Sequence, residues 1–100
     1  MRILYVTSEA SPYAASGGLG DVMGSLPGAV KALLGEESEV AVILPLYAQI
    51  AKEHRAQMEK VMEFRFSYVW RQAYAGIYKL TNEEGVDYYF VDNEQYFSRP

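Results

Sequence analysis

The sequence predicts an α/β fold in which a parallel sheet carries flanking helices and an antiparallel β-hairpin insertion. Three observations predict it. Ile3-Leu4-Tyr5-Val6 and Val40-Ala41-Val42-Ile43-Leu44 are short, continuous apolar runs rich in β-formers, the pattern of strands covered on both faces. A glycine loop and a helical pattern lie between them, so the first half of the chain is a βαβ unit. Beyond residue 60 the period changes to two, the mark of half-exposed strands.

The elements justify themselves in order. Ser8-Glu9-Ala10-Ser11-Pro12 ends the first strand, and a loop of small residues runs to Gly20. A helix from Leu19 to Leu34 follows. Its apolar positions Leu19, Val22, Met23, Leu26, Val30, Leu33 and Leu34 fall three and four apart, on one face of a 3.6-residue repeat. Pro27 inside it removes one backbone bond, and Gly35 suits its C-terminal stop. The acidic stretch Glu36-Glu37-Ser38-Glu39 reads as a solvated turn. Pro45 closes the second strand, and residues 46–56 read as helical, with Leu46, Ile50 and Ala51 inward. Val61 to Val69 alternates with Met62, Phe64, Phe66, Tyr68 and Trp70. Trp70-Arg71-Gln72 then turns into a second strand from Ala73 to Leu80. Thr81 to Gly85 is a polar turn, and Val86 to Val91 is apolar enough to rejoin the central sheet.

Bulk properties narrow the function. One hundred residues hold one domain at most. Half of them are hydrophobic, which marks a folded chain. A net charge of −4 gives no electrostatic case for nucleic acid or an anionic membrane. No cysteine is present, so disulfides, thiol catalysis and cysteine zinc sites are excluded. No apolar run is long enough for a signal core or a membrane span, and a cytoplasmic location is expected. No metal or cofactor is expected. The chain stops at Tyr96-Phe97-Ser98-Arg99-Pro100 without a closing helix or polar tail, the look of a piece of a longer protein.

Ser16-Gly17-Gly18-Leu19-Gly20-Asp21 lies at the carboxyl end of a strand and the start of a helix. Ligands bind at that edge of an open α/β sheet. Glycines admit close approach of a ligand, and the first helical N–H groups are unpaired and partly positive. The same glycines also serve for turning the chain alone, and both readings stay open on spacing. A dinucleotide site fails: the third fingerprint glycine is Met23, and Leu44 and Pro45 stand where an acidic residue is required. No Gly-Lys-Ser/Thr follows, so the loop is not a triphosphate P-loop.

The combined motifs resemble a known family. Ile3-Leu4-Tyr5-Val6-Thr7-Ser8-Glu9, Pro12-Tyr13, Gly17-Gly18-Leu19-Gly20-Asp21-Val22 and Leu26-Pro27 look like the start of glycogen and starch synthases. Val42-Ile43-Leu44-Pro45-Leu46-Tyr47, Phe90-Val91-Asp92-Asn93 and Tyr96-Phe97-Ser98-Arg99-Pro100 continue the likeness over nearly the whole chain. The resemblance implies residues 1–100 of the Rossmann-like N-terminal domain of a GT-B glycosyltransferase, with the rest of that domain and a nucleotide-binding domain to follow. It implies retaining transfer of glucose from ADP-glucose to the non-reducing end of an α-1,4-glucan, although ADP-glucose and UDP-glucose are not distinguished. The isolated chain is then expected to be inactive.

The resemblance also implies site residues. Gly17 and Gly18 would offer N–H groups to the donor diphosphate or the transferred glucose. Asp21 would sit at the same cleft, or serve only as a helix-start carboxylate. Glu9 points toward the cleft by topology, or is a loop acid or a structural hydrogen-bonding residue. Phe97 lies in a segment near the cleft. One departure stands out: the family places lysine two residues before the paired glycines, and here that position is Ala15. Losing a charge-assisted contact there costs about 1.5–3 kcal/mol, or roughly ten- to a hundredfold in binding or rate. No lysine or arginine lies between Arg2 and Lys31 to replace it.

Other features read more simply. His54, among Lys52, Glu53 and Arg55, suggests an exposed helix end. Trp70 and the tyrosines offer faces to sugar rings, but the alternation assigns most of them to strand packing. Two alternatives remain beside the synthase: a flavodoxin-like phosphate or mononucleotide module, and a non-catalytic glucan- or partner-binding domain.

Overall fold

The computed structural model describes residues 1–15, 17–47, 50–68 and 71–92. The elements follow in the order β1 (Arg2–Val6), α1 (Gly18–Leu34), β2 (Glu39–Pro45), α2 (Lys52–Ala56), β3 (Glu59–Tyr68), β4 (Arg71–Thr81) and β5 (Asp87–Asp92). The strands form one mixed sheet in the order β1-β2-β5-β4-β3. β1, β2 and β5 are parallel, while β4 runs antiparallel to both β5 and β3. The expected hairpin therefore extends the central sheet, and β5 returns beside β2, with Val42 opposite Tyr88 and Leu44 opposite Phe90.

Alternation along the strands divides the sheet into two faces. Val40, Val42, Leu44, Tyr88 and Phe90 build the core face, joined by Ala10, Tyr13, Leu46 and Ile50. Met23 and Val30 of α1 and Met58 pack on that cluster. Among the described residues the other face is largely bare. Leu4 and Val6 are 61% and 79% exposed, and Ile43 and Val91 beyond them are half-buried. Among the described residues, the expectation that β1 is covered on both faces is met on the core side alone, where α1 packs.

The packing of α1 also departs from its apolar pattern. Its buried residues are Gly20, Pro27 and Gly28, whereas Leu19, Val22, Leu26 and Leu33 are exposed. Close approach of neighbouring segments is the reason. A Cβ on Gly24 would lie 2.7 Å from the carbonyl oxygen of Ser11, and one on Gly28 would run into the Glu84 carboxylate. A helix brought this near its neighbours must present its small residues to them. Pro27 stays within the helix, whose C-cap is Gly35 at φ 89° with its N–H on the Lys31 carbonyl.

Smaller corrections concern boundaries. Among the described residues of the predicted 46–56 helix, only Lys52–Ala56 is helical; Leu46 and Ile50 are buried ahead of it as loop residues. Pro45 closes β2 as expected, as its last residue. Glu39 opens β2, and Ser38 is buried, donating to the Gly35 carbonyl at 2.6 Å. Arg71 and Gln72, expected in a turn, belong to β4 and pair with Tyr68 and Ser67. The polar turn is as expected: the Asn82 side chain accepts from the N–H groups of Glu84 and Val86, both at 3.0 Å, and Gly85 takes φ 82°.

Candidate functional site

The loop after β1 is fastened to the rest of the fold at many points. The Thr7 N–H continues the β1–β2 ladder to the Ile43 carbonyl at 3.0 Å. The Thr7 hydroxyl donates to the Glu9 carbonyl at 2.9 Å and accepts from the Glu9 N–H at 3.3 Å. Ala10 and Ala14 form an isolated antiparallel bridge. The Tyr47 hydroxyl donates to the Ser8 carbonyl at 2.9 Å.

Tyr13 anchors this loop in the core. Its ring lies 5.0 Å from His54, 4.9 Å from Tyr88 and 5.3 Å from Phe90. Burial, with smaller effects from Tyr88 and Glu83, pushes its phenol up to about 12. The contact assigns His54 a packing role, half-buried instead of the expected exposed end.

The glycine segment then meets α1. Gly17 is the N-cap, in extended backbone at φ −178° with no side-chain cap. The first i→i−4 bond runs from the Asp21 N–H to the Gly17 carbonyl at 3.3 Å. The N–H groups ahead of it have no partner within the helix. A Cβ placed on Gly17 or Gly18 would meet nothing within 4 Å, so both backbones face open space.

The candidate residues Glu9, Ala15, Gly17, Gly18 and Asp21 come together here at the carboxyl edge of the parallel strands. Glu9 accepts the Gly20 N–H at 2.9 Å. Ala15 is exposed and packs against Gly20. Asp21 is exposed in the first helical turn, with the Ser11 hydroxyl at a long 3.5 Å. Phe97 and Trp70 lie outside the described residues.

The cations nearest in sequence do not replace the lysine missing at Ala15. Arg2 pairs with Glu39 at 2.8 Å, and Lys31 donates to the Ser38 carbonyl past the end of α1. Both lie at the opposite edge of the sheet from the glycine loop. Sequence reasoning placed Gly20 in the loop but did not foresee its tie to Ser11, whose N–H donates to the Gly20 carbonyl at 2.9 Å. Gly20 itself was the available signal.

An apolar cavity of about 460 Å³ opens on the bare face of the sheet at the same edge, lined by Val6, Thr7, Ser8, Ile43, Pro45 and Val91. Its wall suits side-chain packing better than phosphate. Among the described residues no group of three or more histidine, cysteine or acidic side chains is placed to hold a metal ion. Likewise, no described helix is long and apolar enough to cross a membrane.

A mixed α/β sheet with three parallel strands, and an open pair of glycines at the strand-to-helix junction, presents the edge at which open α/β sheets take ligands. Comparison with known proteins narrows the class. The starch synthase catalytic domain family matches residues 2–100, and the chain belongs to that family. Over 99 residues it is 46% identical to the glycogen synthase of Streptococcus pneumoniae strain 70585 and to that of Clostridium novyi strain NT. The chain spans about one fifth of the length of these relatives: 99% of this chain is covered but only 20% of each of theirs. Its fold is similar to the catalytic domain of starch synthase IV from Arabidopsis thaliana bound to ADP and acarbose. That likeness has a TM-score of 0.72 at 23% identity and covers 97% of this chain and 20% of the other.

Proposed function

We propose that this chain forms the N-terminal part of the substrate cleft of a retaining glucosyltransferase that lengthens α-1,4-glucans from ADP-glucose. The observation that carries the reading is the open Gly17–Gly18 backbone at the start of α1, within a chain that matches the family along its length. The fold neighbour bound to ADP and acarbose supports a nucleotide and a sugar chain as the two ligands. In this reading the Gly17 and Gly18 N–H groups bind the diphosphate or the transferred glucose, favoured by the helix dipole. Asp21 faces the same cleft and is available to sugar hydroxyls. Leaving-group charge is then stabilised by preorganised backbone donors, without a cation from this loop. The reaction occurs in the cytoplasm and requires the domain that completes the cleft.

A second reading rests on Ala15. Without the family lysine, the domain binds glucan or a protein partner and transfers nothing. One experiment separates the two. The complete reading frame carrying this segment is expressed, and nucleotide release from ADP-glucose and from UDP-glucose is measured with glycogen present. Release of ADP from ADP-glucose is expected. No release from either donor overturns the transferase reading.

A further inference from the structure

The glycine segment divides into two parts of opposite character. At Gly17 and Gly18 a Cβ would meet nothing within 4 Å. At Gly20 it would lie 2.5 Å from Ala15 Cβ, 2.9 Å from Ala15 Cα and 3.3 Å from Glu9 Oε1. Gly20 is therefore closed by its neighbours, while the two preceding glycines are open.

Both peptide groups of Gly20 are held by the loop. Its N–H donates to Glu9 Oε1 at 2.9 Å, and its carbonyl accepts from the Ser11 N–H at 2.9 Å. The Glu9 backbone is in turn fixed by Thr7 on both its N–H and its carbonyl. A carboxylate on a first-turn N–H gains a charge-assisted hydrogen bond and the favourable end of the helix dipole. A Cβ on residue 20 would fill the space that Ala15 and Glu9 occupy.

We infer that Glu9 is a positioning residue, and this rests on the transferase reading above. Its carboxylate pins the first turn of α1 to the end of β1 at one rotation. That rotation leaves the Gly17 and Gly18 backbones facing the open side, ready for the donor. Glu9 does not touch the donor; it acts through Gly20.

Two measurements test this. The first is amide hydrogen exchange in the complete protein. Glu9→Ala is expected to speed exchange at Gly20 about tenfold, the worth of one charge-assisted bond. Glu9→Gln, which keeps an acceptor oxygen, is expected to restore most of the protection. Unchanged exchange in Glu9→Ala, or no recovery in Glu9→Gln, overturns the brace.

The second measurement uses the complete enzyme. Glu9→Ala is expected to raise the KM for ADP-glucose about tenfold with the KM for glycogen unchanged, and Glu9→Gln to reverse most of that rise. A purely structural role would lower thermal stability and the active fraction at constant KM, and that result overturns the link to the donor. Where Glu9→Ala does not fold, Glu9→Asp serves, because it keeps the charge but is one methylene shorter; the same rise in KM is expected. Absence of transfer by the unsubstituted enzyme overturns the proposed function together with the donor link, and the exchange result then decides the brace by itself.

Discussion

Ala15 is the residue at which one missing charge has the clearest consequence. Its side chain is exposed beside Gly20, so a longer side chain has solvent to extend into. Arg2 and Lys31 are engaged at the far edge of the sheet. A lysine at position 15 would therefore be the nearest cation in the sequence to the paired glycines. In the complete enzyme, Ala15→Lys is expected to strengthen ADP-glucose binding by roughly tenfold or more, the worth of a charge-assisted contact. Calorimetric titration measures it. An unchanged or weaker affinity would mean that another group already fills that role.

The helix α1 shows how an element can be predicted correctly and turned differently. The 3.6-residue repeat of Leu19, Val22, Leu26 and Leu33 marked it as a helix, and it is one. The same repeat marked its packed face only through Met23 and Val30, because Gly20, Gly24 and Gly28 bring the helix close to its neighbours and leave these leucines and Val22 outside. The contrast sets the sign of a substitution. In an open helix interior, glycine to alanine stabilises by about 1 kcal/mol. Here Gly24→Ala places a methyl group against the Ser11 backbone. It is expected to destabilise by about 1–3 kcal/mol, the usual cost of overpacking. Leu33→Gln, at a residue 86% exposed, is expected to change stability by less than about 0.5 kcal/mol. Urea denaturation of the 100-residue chain decides both. Stabilisation by Gly24→Ala would contradict the close approach.

At the scale of the molecule, the described residues leave an apolar surface uncovered. Leu4 and Val6 on the edge strand β1 run into Ile43 and Val91 on the same face, around the apolar cavity. An open strand edge beside an apolar face is a template for association. The chain as given, a fifth of the length of its relatives, is expected to self-associate and to bind a hydrophobic dye. Replacing both Leu4 and Val6 with lysine is expected to shift it toward monomer and lower the dye signal. Sedimentation velocity reads the first effect and fluorescence the second. A wild-type chain that is monomeric and dye-free would show that this face is not adhesive.

Much of this fold was legible in the sequence because its signals are local. Continuous β-formers marked β1 and β2, period two marked β3 and β4, and Gly35 and Asn82–Gly85 marked a helix end and a turn. The family motifs, read together, assigned the chain to the starch synthases. Short-range information of that kind also located the glycine loop at a sheet edge and noted the absence of lysine at Ala15. Three matters were decided only in three dimensions: which face of α1 packs, that the described residues leave one side of the sheet bare, and that Glu9 holds the Gly20 amide. Each depends on residues distant in sequence meeting in space, Ser11 with Gly24, Glu84 with Gly28 and Glu9 with Gly20. A hydrophobic repeat counts apolar side chains, but it does not record where a backbone must come close.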